Sequence, residues 1–141
     1  RLGSIMEEEK IIWTNGCFDI LHRGHLELFK YAKSLGTKLY VGMDSDSKVS
    51  KDKGPDRPFF SEDDRIEMVK SIKYVDKVFI FDTAKGLNNL IKKHQPHVLI
   101  VGSDWQNKKV IGEEHAQHVR FFKRMNKYST TNILEWTKSQ K

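Results

Sequence analysis

The order of apolar segments predicts a single α/β domain, a doubly wound parallel sheet of five strands. Strand-sized apolar runs alternate with stretches of helical spacing from Ile11 to Trp136. The 38% hydrophobic content of 141 residues is enough to build one core without a metal or disulfide staple. The longest apolar runs, such as Val98 to Val101, fall well short of the roughly 20 residues a membrane span needs. Residues 1–5, ahead of Met6, read as a cloning remnant, which leaves 6–141 as the domain.

Ile11-Ile12-Trp13-Thr14 is the first strand, and Asn15-Gly16 reads as the turn that ends it. Leu26, Phe29, Tyr31, Ala32 and Leu35 have near-helical spacing, with Gly36 placed as the C-cap. Leu39 to Met43 is the second strand. From Lys48 to Arg57 the chain is rich in Lys, Gly and Pro and reads as a loop. Its lysines repel one another until an anion sits among them, so a mobile lid is expected here. Ser61 with Asp64 three residues on is an N-cap pattern, and Ile66, Met68, Val69 and Ile72 supply the buried side of the helix that follows. Val78 to Phe81 is a third strand, and Leu87, Leu90 and Ile91 mark another helix. Val98 to Val101 is a fourth strand stopping at Gly102, and Val119 to Phe122 a weaker fifth. Ser129-Thr130-Thr131 opens a last helix through Ile133, Leu134 and Trp136. Strict alternation implies a Rossmann-like sheet covered by helices on both faces, with ligands bound beyond the carboxyl ends of its strands near the switch in strand order.

A net charge of +6 suits nucleic acid, anionic small molecules or a merely soluble surface. Lys30, Lys33, Lys70, Lys73, Lys92 and Lys93 fall on helix faces and read as solvated, which leaves the Lys48 to Arg57 cluster in need of a partner. Phe79, Phe81, Phe121 and Phe122 lie in strands among apolar neighbours, a setting for core burial rather than base stacking, so a nucleic-acid module has thin support. The single cysteine, Cys17, cannot form an internal disulfide and fits a reducing, cytoplasmic setting.

The turn after the first strand carries the chemistry. His22 and His25 are three apart at a helix start and project toward one point. Gly24 between them leaves room for a phosphate, and the helix N-terminus adds N–H groups and positive potential. His94/His97 and His115/His118 share the spacing without the glycine and read as surface or loop residues rather than zinc ligands.

This stretch resembles the His-x-Gly-His signature of the nucleotidyltransferase superfamily that includes the cytidylyltransferases. The likeness adds the turn Asn15-Gly16-Cys17-Phe18-Asp19 and a second signature, Ser129-Thr130-Thr131-Asn132-Ile133, and runs from Ile11 to Trp136. Ser45-Asp46, Lys53 to Pro58, Asp64-Arg65, Val75-Asp76, Pro96 and Ile111-Gly112 are similar to heptose 1-phosphate adenylyltransferases. Gly102-Ser103-Asp104-Trp105 and Arg124 are similar instead to glycerol-3-phosphate cytidylyltransferases, while Ser103 and Lys127 depart from both patterns.

The resemblance implies transfer of a nucleoside monophosphate from ATP or CTP to a phosphorylated small molecule, with Mg²⁺ and release of pyrophosphate. ATP with heptose 1-phosphate heads the order, ahead of CTP with glycerol 3-phosphate; flavin adenylation and a non-catalytic nucleotide sensor stay open. It implies no nucleic-acid or membrane partner and leaves room for a homodimer. Catalysis falls to His22, His25 and Lys53, by positioning and by stabilising charge in an in-line displacement. Nucleotide binding falls to Asn15, Gly16, Cys17, Phe18, Gly24, His25, Gly102, Asp104, Arg124, Ser129, Thr130 and Thr131. Acceptor binding falls to Asp19, Lys51, Arg57 and Arg65. Plainer roles compete: Arg65 pairing with Glu62, Asp19 capping its turn, Ser129 or Thr130 as an N-cap, Trp105 packing under a loop. No dedicated carboxylate cage stands out, so phosphates and water are expected to hold the metal.

Overall fold

The computed structural model describes residues 8–123 and 129–140. In chain order the elements are β1 (Ile11–Gly16), α1 (Arg23–Ser34), β2 (Lys38–Asp44), α2 (Asp46–Lys53), α3 (Glu62–Lys70), β3 (Lys77–Phe81), α4 (Ala84–His94), β4 (Val98–Gly102), β5 (His118–Phe122) and α5 (Thr130–Ser139). The five strands run parallel in the order β3-β2-β1-β4-β5. The chain winds outward from β1 to β3 and then returns to lay β4 and β5 on the other side, so the order reverses at β1. Loops leaving β1 and β4 therefore diverge and open a crevice.

Side chains alternate across each strand. Ile12, Leu39, Val41, Met43, Val98 and Ile100 form one face with Phe29 and Ala32 of α1 and Val69 of α3. Trp13, Tyr40, Phe81 and Leu99 form the other with Leu87 and Ile91 of α4. Burial on both faces is why the strands read as unbroken apolar runs. Among the described residues no helix is long and apolar enough to cross a membrane.

Asn15 and Gly16 belong to β1, paired with Gly42 and Met43, so the turn starts at Cys17. Gly36 is not the C-cap of α1. Leu35 holds that position in ordinary αR geometry, and Gly36 is required by close approach: a Cβ there would lie 2.5 Å from the Lys10 carbonyl oxygen. Gly36→Ala is expected to cost about 1–3 kcal/mol, as overpacking does. Urea denaturation measures this, and a variant as stable as the parent would remove the steric account.

The Lys48 to Arg57 segment is not a loop throughout. Asp46–Lys53 is helical, started by Ser45, whose Oγ accepts from the Lys48 N–H at 3.2 Å. Val49 is fully buried beneath it. The expected repulsion is offset locally: Lys48 pairs with Asp52 at 2.6 Å, and Lys51 and Lys53 occupy the last turn, where the helix dipole favours cations. Within that segment only Gly54, at φ 108°, and the three residues after it lie outside the helix, at the start of the connection (54–61) that leads to α3. In α3 the inward pair is Arg65 and Val69, while Met68, expected in the core, is 58% exposed.

Candidate active site

The carboxyl ends of β1 and β4 and the starts of α1 and α5 surround a cavity of about 300 Å³. Its walls include Asn15, Gly16, Cys17, Phe18, Asp19, His22, Gly24, His25, Lys53, Arg57, Gly102, Ser129, Thr130 and Thr131. Both signatures thus meet across one space, although more than a hundred positions separate them. Thr130 Oγ1 donates to the Ile20 carbonyl at 3.1 Å, which ties the start of α5 to the loop before α1.

His22 and His25 form a reciprocal cap on α1. His22 Nδ1 accepts from the Gly24 N–H at 3.1 Å, and His25 Nδ1 accepts from the His22 N–H at 3.2 Å. The rings stack with centroids 3.9 Å apart. With each Nδ1 an acceptor, each neutral ring carries its proton on Nε2. Burial pushes the His22 pKa below its ordinary value, which favours that neutral form. The expected notch of open helix amides is therefore corrected: the Gly24 and His22 N–H groups are committed to the imidazoles. Phe18, held at φ 51°, is buried and meets His25 edge to face at 5.5 Å. A core side chain thus braces a ring of the site. On β1, Trp13 Nε1 donates to Asn15 Oδ1 at 3.1 Å and fixes which end of that amide is which.

Two residues expected at the acceptor make scaffold contacts in the structure. Asp19 is buried, and its oxygens accept from the N–H groups of Phe59 (2.6 Å) and Phe60 (2.8 Å). Arg65 is wholly enclosed and does not line the cavity. Its guanidinium donates to the carbonyls of Phe60, Cys17 and Asp44 and to Asp46 Oδ1, all within 3.0 Å. Nor does it pair with Glu62, which accepts from the Asp46 N–H. Lys51 is exposed and away from the cavity, as is Asp104, whose neighbour Trp105 does line it. Arg124 lies outside the described residues. Burial, foremost, raises the Cys17 thiol's pKa and disfavours a nucleophilic thiolate.

The sequence did not mark Thr14, Leu28, Leu87, Val101, Val110, Ile111 and Phe122 as lining residues. Val101 and Phe122 lie at or next to strand ends and Val110 and Ile111 in the segment between β4 and β5, but the apolar residue types among the seven match any core. Nor is His94 a loop residue: it closes α4 and packs its ring on Phe79, Tyr40 and Trp13. Among the described residues no three His, Cys, Asp or Glu side chains group closely enough to hold a metal.

Known proteins carry the same organisation. The bifunctional protein HldE of Helicobacter pylori is 40% identical over 135 residues, covering 96% of this chain and 29% of that protein. HldE of Campylobacter concisus is 42% identical over 134 residues, covering 95% and 28%. The chain therefore spans under a third of the curated relatives it matches. A lipopolysaccharide core biosynthesis protein from Thermoplasma volcanium shares the fold at TM-score 0.67 and 23% identity, over 82% of this chain and 98% of that one. The cytidylyltransferase-like model matches residues 13–136, which takes in both signatures and every strand but the first two residues of β1. With the histidine turn at the switch point and the second signature facing it, the chain belongs to the cytidylyltransferase-like family of nucleotidyltransferases.

Proposed function

We propose that the chain transfers the adenylyl group of ATP to the phosphate of a heptose 1-phosphate and releases pyrophosphate. The observation that carries this reading is the capped pair His22 and His25, protonated on Nε2, in one cavity with Ser129-Thr130-Thr131. An acceptor phosphate oxygen attacks the α-phosphorus in line, a new P–O bond forms, and the bond to the pyrophosphate oxygen breaks. No proton need move in that step. His22 and His25 donate to the oxygens on which charge grows, and they require no reorganisation to do so. The start of α5 holds the β- and γ-phosphates, and Lys53, at the end of α2, adds a positive charge at the transferred group.

Mg²⁺ fits this site as an ion carried by the triphosphate. Among the described residues the cavity lining offers one carboxylate, Asp19, already committed to backbone N–H groups, so water and phosphate oxygens would supply the coordination. Its chemistry is to neutralise charge on the phosphates. A cytoplasmic setting, where triphosphates are made, accords with this reading, as does a homodimer.

CTP with glycerol 3-phosphate is the second reading, favoured by Trp105 on the cavity wall beside Asp104. The test is pyrophosphate release with each of four triphosphates against heptose 1-phosphate, glycerol 3-phosphate, phosphocholine and flavin mononucleotide. Turnover is expected only when a triphosphate and an acceptor are both present, and best with ATP and heptose 1-phosphate. A strong preference for CTP reverses the order of readings. Absence of turnover on the whole panel, with tight specific binding of nucleic acid, rejects the reaction.

A further inference from the structure

Among the described residues Trp13 is the largest side chain wholly shut off from water. Its indole N–H can only donate, and a buried one must find an acceptor. That acceptor is Asn15 Oδ1, two positions on along β1 and therefore on the same face of the sheet. The packing leaves the indole little choice of place. The rings of Phe79 and His94 lie nearly parallel to it, with centroids 5.7 and 6.0 Å away. On β2 the neighbour has no side chain: a Cβ on Gly42, the register partner of Asn15, would lie 2.7 Å from Trp13 Cζ2 and 3.1 Å from Asn15 Cβ. Asn15 lines the cavity, whereas Trp13 lies beneath it. An amide carries an oxygen at one end and two N–H bonds at the other. Turning this one over would set N–H against N–H and leave a buried donor unpaired. Nδ2 is thus the end left for a ligand, and among the described residues it has no acceptor in the protein.

We propose, resting on the transferase reading above, that Trp13 is a positioning residue. From beneath the cavity it holds the Asn15 amide so that Nδ2 donates to a phosphate oxygen of a bound substrate. Without the indole, the amide could present either end, and a misplaced Oδ1 would repel that oxygen. The orientation agrees with the rest of the wall, where His22, His25 and Lys53 also bring N–H donors. Gly42 belongs to the same device, because only a residue without a Cβ lets the indole pass to its acceptor.

The test is a double-mutant cycle on kcat/KM with Trp13→Phe, Asn15→Ala and the two combined, each checked for folding by a thermal melt. Phenylalanine keeps an aromatic ring in the core and removes the N–H. Each single variant is expected to lower kcat/KM about tenfold. In the Asn15→Ala background Trp13→Phe should change it by less than about twofold, because the indole then has nothing left to orient. Losses that multiply overturn the proposal, and so does an unchanged kcat/KM in Trp13→Phe. Asn15→Asp gives a second arm that leaves the tryptophan in place. Its carboxylate still accepts from the indole but presents oxygen where wild type presents N–H, so kcat/KM should fall at least as far as in Asn15→Ala. Activity kept in Asn15→Asp overturns the proposal even where Trp13→Phe does not fold. If wild type turns over no acceptor, the transferase reading fails separately, and nuclear magnetic resonance still decides. Inorganic pyrophosphate should shift the Asn15 side-chain amide protons in wild type and not in Trp13→Phe; no shift in wild type, or an equal shift in both, overturns the proposal.

Discussion

His25→Ala or His22→Ala is expected to lower turnover by roughly a hundredfold or more, the effect of losing one preorganised donor to developing charge. Each substitution removes an Nε2–H, but His22→Ala also deletes the N-cap of α1, costing about 0.5–2 kcal/mol of stability. His22→Asn separates the two roles. Asparagine is a good N-cap and can accept from the Gly24 N–H, so stability should return while turnover does not. Acid provides an independent check. The His22 pKa is depressed in the fold from its ordinary 6.5, so the unfolded chain takes up this proton first as pH falls. The stabilisation is fully present above 6.5 and is lost as pH drops through the lower folded value. Protonation occurs on Nδ1 and breaks the bond from Gly24, so turnover should decline across that window and not above it. Near-normal turnover in either alanine variant removes that histidine from the mechanism.

Arg65→Met is expected to cost about 3–5 kcal/mol, as breaking a buried charged network does. Removing the guanidinium leaves the Phe60, Cys17 and Asp44 carbonyls without this donor, and it unties three segments at once: the turn after β1, the end of β2 and the approach to α3. At roughly 3 °C per kcal/mol for a domain of this size, the melting temperature should fall by about 10 °C. Arg65→Lys should not rescue it, because one ammonium cannot span acceptors set around a planar fork. A variant that melts within two degrees of wild type but binds the acceptor poorly would return Arg65 to the ligand-binding role.

The contrast between these residues shows what was legible in the chain. The strands were, because parallel strands buried on both faces leave continuous runs such as Leu39 to Met43. The histidine turn was, because its glycine and its strand-to-helix setting are local. Helix α2 was hidden, since seven of its eight residues are polar and only Val49 faces the core. Arg65 read as an acceptor ligand or a partner of Glu62, and its burial was hidden because its partners are long-range: Cys17 lies 48 positions away and Asp44 lies 21. The backbone contacts of Asp19 were hidden for the same reason, its partners Phe59 and Phe60 being 40 and 41 positions on. The apolar wall carried no mark at all, since a valine lining a cavity and one filling a core are the same letter.

The reciprocal cap on α1 also joins two events usually kept apart. Starting a helix is the unfavourable step of making one, because several residues must be fixed before the first bonds repay the loss of freedom. Here the side chains that ease that start are the two imidazoles assigned to the reaction. Nucleation of α1 and assembly of the donor pair are therefore one event, completed while the chain folds. The rings give up their rotational freedom then, and an arriving triphosphate meets donors that have none left to lose.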